Sequence, residues 1–219
     1  MAEGYSRHDL VRADPTAWAA WLASRPDLAG APHLDGWAAA GRPLIVRRRN
    51  PGEGSDAVPL GLPLPPADGK RRIGLALPSA MLSPMVAPDL AASGRHAPAA
   101  WQPSIGALVE VGRHHAIVPR PFGALLWQAL TGLTYLSASS DLDLLWPCAT
   151  GVPAGLLDRI GSVADSASMR IDGEILLPDG TGVQWRELRD APEGGSVVAK
   201  SLDRVALVPA AALRASIRR

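Results

Sequence analysis

The segment Ser139-Ser140-Asp141-Leu142-Asp143-Leu144-Leu145-Trp146 concentrates the chemistry of this 219-residue chain. Its apolar continuation reads as a strand, in which residues i and i+2 face the same side. Asp141 and Asp143 therefore sit next to each other. Two adjacent carboxylates repel, and burying them unpaired is costly. A divalent cation removes the conflict, and hard oxygen ligands suit Mg²⁺ when substrate phosphates complete its shell. The same spacing also fits a loop-capping aspartate followed by one that faces water.

Two other segments bear on that choice. Phe122-Gly123-Ala124 opens a helical pattern, and a Gly loop at a helix start offers free N–H groups to phosphate. Met169-Arg170-Ile171-Asp172-Gly173-Glu174-Ile175 supplies a third acid from a later strand. Asp172 and Glu174 are again i and i+2; Asp172 is the first choice for a metal ligand and Glu174 the reserve.

The elements that must position these residues follow from patterning. Asp14 caps a helix to Ala23, with Pro15 at its first position. Leu34–Ala40 reads as a second short helix, 43–49 as a strand, and 58–66 as extended because of its four prolines. Lys70-Arg71-Arg72 leads into a strand over Ile73–Leu77. The Pro- and Ala-rich stretch 81–103 reads as a linker between a small N-terminal domain (1–80) and a catalytic domain (104–219). In the latter, Ile105–Val111 starts a strand or helix, Gly123–Leu133 is helical, 141–146 is a strand and Leu156–Ala164 a helix. Ser168–Leu177 and Val183–Leu188 form a hairpin around Pro178–Gly182. Val197–Lys200 and Asp203–Val208 are strands, with a helix near Ala210–Ile217. Helices interleaved with strands give an α/β or α+β unit.

Composition narrows the partners. Apolar residues make up 47% and charged residues 20%, as in a globular domain. A net charge of +1 argues against wrapping nucleic acid. The single cysteine, Cys148, excludes an intrachain disulfide framework and a Cys-built zinc site. No apolar run is long enough to span a membrane, and the N-terminus lacks a signal-peptide core, so a cytoplasmic location is expected. The five histidines show no metal-ligand spacing and read as structural. Lys70 and Lys200 are the only lysines among 22 basic residues.

A Gly at a helix start, Asp-x-Asp on a strand and an acid on a later strand resemble the DNA polymerase β-like nucleotidyltransferase superfamily. More closely, the chain resembles the phosphoribosyl-dephospho-CoA transferase of malonate decarboxylase systems (its holo-acyl-carrier-protein synthase). The resemblance rests on Arg7–Val11, Gly61–Pro66 with Gly69–Gly74, Trp127–Leu133, Tyr135–Pro147, Asp172-Gly173-Glu174 and Trp185–Leu188. It spans most of the chain, and the block ending at Pro147 is its most specific part. The superfamily's Ser after the helix-start Gly is here Ala124, which removes one phosphate contact; Ser139 or Ser140 could substitute.

The resemblance implies a polymerase-β-like catalytic domain, a mixed sheet flanked by helices, behind a smaller α+β domain. It implies transfer from 2′-(5″-triphosphoribosyl)-3′-dephospho-CoA to a serine of the apo acyl-carrier subunit of malonate decarboxylase, with release of pyrophosphate. Two Mg²⁺ ions, or Mn²⁺ in their place, would be held by Asp141, Asp143 and Asp172, and Asp172 could accept the proton. Gly123, Ser139, Ser140, Lys70, Arg71, Arg72 and Lys200 become candidates for binding the donor, with Arg47-Arg48-Arg49 as a second basic strip. Trp185 and Tyr135 could stack on adenine, or lie in the core. Other readings are a nucleotidyltransferase with another acceptor and a non-catalytic module that binds the precursor or the carrier. A haloacid-dehalogenase-like phosphatase also uses Asp-x-Asp, but its apolar strand precedes the first Asp, whereas here Ser137–Ser140 does.

Overall fold

The computed structural model of the chain describes residues 4–214. They divide into two compact units, one of 4–87 with 130–134 and one of 88–129 with 135–214.

The first unit is a five-stranded antiparallel sheet. Its elements are β1 (Leu10–Ala13), α1 (Pro15–Ala23), β2 (Leu44–Val46), β3 (Val58–Pro63), β4 (Arg72–Leu77) and β5 (Leu82–Met85), in sheet order β4-β3-β2-β1-β5. Asp14 caps α1 as its sequence predicts, accepting from the Thr16 and Ala17 N–H groups at 2.9 Å. On β4, Ile73, Leu75 and Leu77 are buried while Arg72, Gly74 and Ala76 are exposed, the alternation of a sheet with one wet face. Trp18 and Trp37 fill the core, and each indole N–H is satisfied by a carbonyl, Leu34 at 2.8 Å and Pro43 at 2.9 Å.

The second unit contains α2 (Leu90–Gly94), α3 (Gln102–His114), β6 (Arg120–Pro121), α4 (Ala124–Thr131), β7 (Leu142–Pro147), α5 (Leu156–Ser166), β8 (Ile171–Leu176), β9 (Gly182–Gln184), α6 (Trp185–Asp190), β10 (Ser196–Lys200), β11 (Val205–Pro209) and α7 (Ala210–Arg214). Its six strands run in the order β11-β10-β9-β8-β7-β6. Only β7 and β8 are parallel, and α5 provides the crossover that such a pair needs. The molecule is thus α+β. Among the described residues no helix is long and apolar enough to cross a membrane.

Several expectations need correction. Leu34–Ala40 is a run of turns, not a helix: Gly36 sits within it, and its local backbone bonds are isolated ones such as Trp37 N–H to Leu34 O and Ala40 N–H to Gly36 O. The stretch 81–103 is not a linker. Leu82–Met85 pairs with β1, and Leu90 and Trp101 are buried in the second unit's core, so the division falls at Ala87/Pro88. The strand expected over Val183–Leu188 ends at Gln184. There the Gln184 side chain accepts from the Glu187 N–H and starts α6, so Trp185-Arg186-Glu187 opens a helix. Ile105–Val111 is helical, as part of α3. The C-terminal helix is described to Arg214; residues 215–217 of the expected one lie outside the described residues.

The Arg47-Arg48-Arg49 strip is largely engaged in holding its own loop. Arg47 grips Glu53 at 2.9 and 2.5 Å and donates to the Leu60 carbonyl, while Arg49 bonds the Gly54 and Ala57 carbonyls. The Arg47 guanidinium, helped by the Asn50 N–H, holds the Glu53 carboxyl at about 2, against an ordinary 4.5. The folded carboxylate therefore resists protonation more than the unfolded one. This stabilisation is complete above about pH 4.5 and disappears as pH falls through about 2. Glu53→Gln is expected to lower stability at neutral pH and to flatten the acid limb between those values, read by urea unfolding against pH. Parallel pH profiles for the two proteins would show that the clamp contributes nothing.

Candidate catalytic site

The parallel β7–β8 pair builds the site. Leu142, Leu144 and Trp146 of β7 and Ile171 and Ile175 of β8 are fully buried and turn one face to the core. Side-chain alternation then sends Asp143, Asp172 and Glu174 to the opposite face. The register sets Asp143 directly against Asp172, and Leu145 against Glu174. Asp141 lies two residues before Asp143, just ahead of the ladder, beside Arg170 of the facing chain. The Leu142 N–H to Arg170 carbonyl bond, 2.9 Å, fixes that approach.

Asp172 is held at both of its carboxylate oxygens. Its Oδ1 accepts from the Gly173 N–H at 2.8 Å and the Gln184 side-chain amide at 2.9 Å. Its Oδ2 meets Arg170 Nη2 at 2.9 Å, and Arg170 Nη1 lies 3.6 Å from Asp141 Oδ2. Gly173 has φ +147°, and a Cβ there would fall 2.0 Å from the Leu144 carbonyl oxygen, so only glycine allows the strands to meet at this row. Glu174 is buried and one strand row further on, opposite Leu145 rather than Asp143.

Gly123 is the second constraint. It has φ +87°, and a Cβ would come within 2.2 Å of Asp143 Oδ2. The Asp143 side chain therefore lies against the turn that opens α4, and the Phe122 N–H donates to the Asp143 carbonyl at 3.0 Å. The first-turn N–H groups of α4, which have no acceptor within the helix, are thus next to Asp143. Ala124 is the first residue of α4.

The serine loop is a tight turn. Ser140 Oγ accepts from the Ser137 N–H at 2.9 Å and lies 3.2 Å from Ser137 Oγ, while Ser139 is exposed. Lys70, Arg71 and Arg72 are all exposed in the first unit, with Lys70 in a left-handed turn at φ 55°. Lys200 pairs with Gly182 and so shares the acid-bearing face. It is four residues along and two strands across from Asp172, roughly 16 Å by strand spacing. Trp185 is not a stacking platform: it is fully buried, with Arg186 and Arg189 4.4 and 5.2 Å from its ring centroid. Tyr135 is likewise buried, against Trp127. Burial pushes the Cys148 thiol up to about 12, which leaves it inert.

Three residues of this face escape sequence reasoning. Gln184 was hidden in a strand that stops at it. Arg120 is on β6, a strand of two residues, too short to show a period; it pairs with Leu145 and so joins the face of Asp143, with its Nε buried and lacking a hydrogen-bond partner. Arg170 carried a usable signal, since the i, i+2 rule that groups Asp172 with Glu174 groups it with Asp172 as well.

Among the described residues no three His, Cys, Asp or Glu side chains are gathered tightly enough to hold a metal ion as they stand. The donor chemistry still fits a hard divalent cation. Three carboxylates share one sheet face, and the positive charge they require is supplied by Arg170, which already bridges two of them.

Comparison with known proteins identifies the family and divides the chain where the structure does. Residues 6–88 match the family model described as phosphoribosyl-dephospho-CoA transferase MdcG N-terminal domain, and residues 89–211 match its C-terminal counterpart. The boundary at 88/89 lies within a residue of the division between the two compact units. A phosphoribosyl-dephospho-CoA transferase of Xanthomonas euvesicatoria pv. vesicatoria is 42% identical over 211 residues, 94% of this chain and 95% of the relative. One of Bradyrhizobium diazoefficiens is 37% identical over 205 residues, 92% of this chain and 89% of the relative. No solved structure matches the chain. Matches to both domain models and identity over nearly the whole length settle the family: the chain belongs to the phosphoribosyl-dephospho-CoA transferases.

Proposed function

We propose that this chain transfers the 2′-(5″-phosphoribosyl)-3′-dephospho-CoA group from 2′-(5″-triphosphoribosyl)-3′-dephospho-CoA to a serine of the apo acyl-carrier subunit of malonate decarboxylase. Pyrophosphate is the other product, which makes the reaction a nucleotidyl-type transfer. The names of the relatives support the transferred group. The observation that carries the chemistry is the direct pairing of Asp143 with Asp172, with Asp141 beside them and the Gly123 turn against Asp143. That arrangement on a mixed sheet supports a polymerase-β-like catalytic domain.

Asp141, Asp143 and Asp172 would hold the cations, two Mg²⁺ or Mn²⁺. When bound, these would supply charge to lower the pKa of the acceptor hydroxyl and to offset that on the departing pyrophosphate, as an in-line displacement requires. The serine oxygen forms a bond to the ribose-linked phosphorus as the bond to pyrophosphate breaks. Asp172 Oδ1 is already occupied by two donors, so Oδ2, which faces Arg170, is the atom that would take the serine proton or face a cation. The register supports Asp172 over Glu174 in this role, because Glu174 lies a row beyond Asp143. The N–H groups at the start of α4 contact phosphate without help from a hydroxyl at Ala124, and exposed Ser139 adds one from the serine turn. Lys70, Arg71 and Arg72 offer charge for the donor's anionic groups, and Lys200 lies further along the acid-bearing face.

Incubating the chain with apo carrier, donor and Mg²⁺ should add one prosthetic group to one carrier serine and release one pyrophosphate, read by mass spectrometry and a pyrophosphate assay. An unmodified carrier with tightly bound donor would favour a non-catalytic binding module. Modification of another hydroxyl in place of the carrier would change the acceptor.

A further inference from the structure

We propose that Arg170 is an exchangeable counter-ion: its guanidinium holds Asp141 and Asp172 until divalent cations arrive, then moves onto the donor's phosphates. This rests on the reading of the acid row as the cation site. Arg170 is two residues before Asp172 and shares its face, and it gives a different nitrogen to each carboxylate. On Asp172 it engages Oδ2, the oxygen a cation needs because Oδ1 is taken by Gly173 and Gln184, and on Asp141 it faces one of the two carboxylate oxygens. Arginine and cation therefore compete for the same atoms.

The exchange is cheap. The Arg170 side chain is 60% exposed, and ion pairs at that exposure contribute little. Among the described residues the Arg170 side chain has no other partner, unlike Arg186, which donates to the Ile171 carbonyl, or Arg189, which pairs with Asp190. Once displaced, the guanidinium stands at the edge of a site that has gained cations and needs its phosphates held. Its planar fork suits phosphate oxygens as well as carboxylates. The residue would thus keep the acids from repelling one another in the empty enzyme and add a donor contact in the loaded one.

The two halves of this role have opposite signs in one variant. Arg170→Gln removes the competitor, so Mn²⁺ alone, titrated by calorimetry, is expected to bind about threefold to tenfold more tightly. Inorganic tripolyphosphate at saturating Mg²⁺ is expected to bind about tenfold more weakly, the loss of a charge-assisted contact. Arg170→Lys should restore much of the Mn²⁺ competition and less of the tripolyphosphate affinity. Unchanged or weakened Mn²⁺ binding in Arg170→Gln would overturn the exchange. Failure of Mn²⁺ to bind either the wild type or the variant would instead remove the cation site on which it rests.

Discussion

Asp143→Asn is expected to reduce prosthetic-group transfer by at least about a thousandfold while leaving the fold intact. The substitution conserves shape and removes one charge at the centre of the acid row. Asp143 is the residue with Asp172 directly across from it and the Gly123 turn against its carboxylate, so no neighbour can take over its position. Charge stabilisation by a bound cation is worth several kcal/mol in the transition state, and about 4 kcal/mol is a factor of a thousand. The Phe122 bond goes to the Asp143 backbone carbonyl, and the ladder to β8 is main chain. Pyrophosphate release, together with an unchanged melting curve, checks both halves. Turnover within tenfold of wild type would exclude Asp143 from the chemistry.

Gly123→Ala should be nearly as damaging by a different route. Its φ of +87° alone costs an alanine about 1–3 kcal/mol. In addition, the new Cβ would fall 2.2 Å from Asp143 Oδ2 and 3.0 Å from its Cγ, so the carboxylate must move. A displacement of about 1 Å in a reacting group can cost a hundredfold. Gly132→Ala isolates the two effects. Gly132 has φ +71° but nothing within 4 Å of its Cβ position, so that variant carries backbone strain without touching an acid. Gly132→Ala is expected to lose stability and keep its turnover number, and Gly123→Ala to lose both. Equal turnover in the two variants would mean that contact with Asp143 does not matter.

The acids were legible because strand alternation is a short-range rule. Asp143 and Asp172 need only their own strands to be recognised, and the structure sets them opposite each other, with Asp141 just ahead of the ladder. What stayed hidden depended on chain segments distant in sequence. β6 has two residues and exists only because β7 pairs with it, so Arg120 gave no local signal. The segment 82–85 contains Pro84 and reads as linker, yet it closes the edge of the first sheet against β1. The hairpin was visible, but its second strand gives way to α6 when the Gln184 side chain caps a helix, a choice that patterning does not reveal. Arg47 looked like phosphate-binding charge because its partner, Glu53, lies across a loop.

The central claim is tested most directly by the anomalous scattering of Mn²⁺ in crystals of the chain grown with the triphosphate donor. The predicted result is Mn²⁺ bounded by Asp141, Asp143 and Asp172, with Arg170 withdrawn from Asp141 and turned to the phosphates. Mn²⁺ bound elsewhere, with Asp141 and Asp172 still facing Arg170 and the donor held away from all three carboxylates, would contradict it.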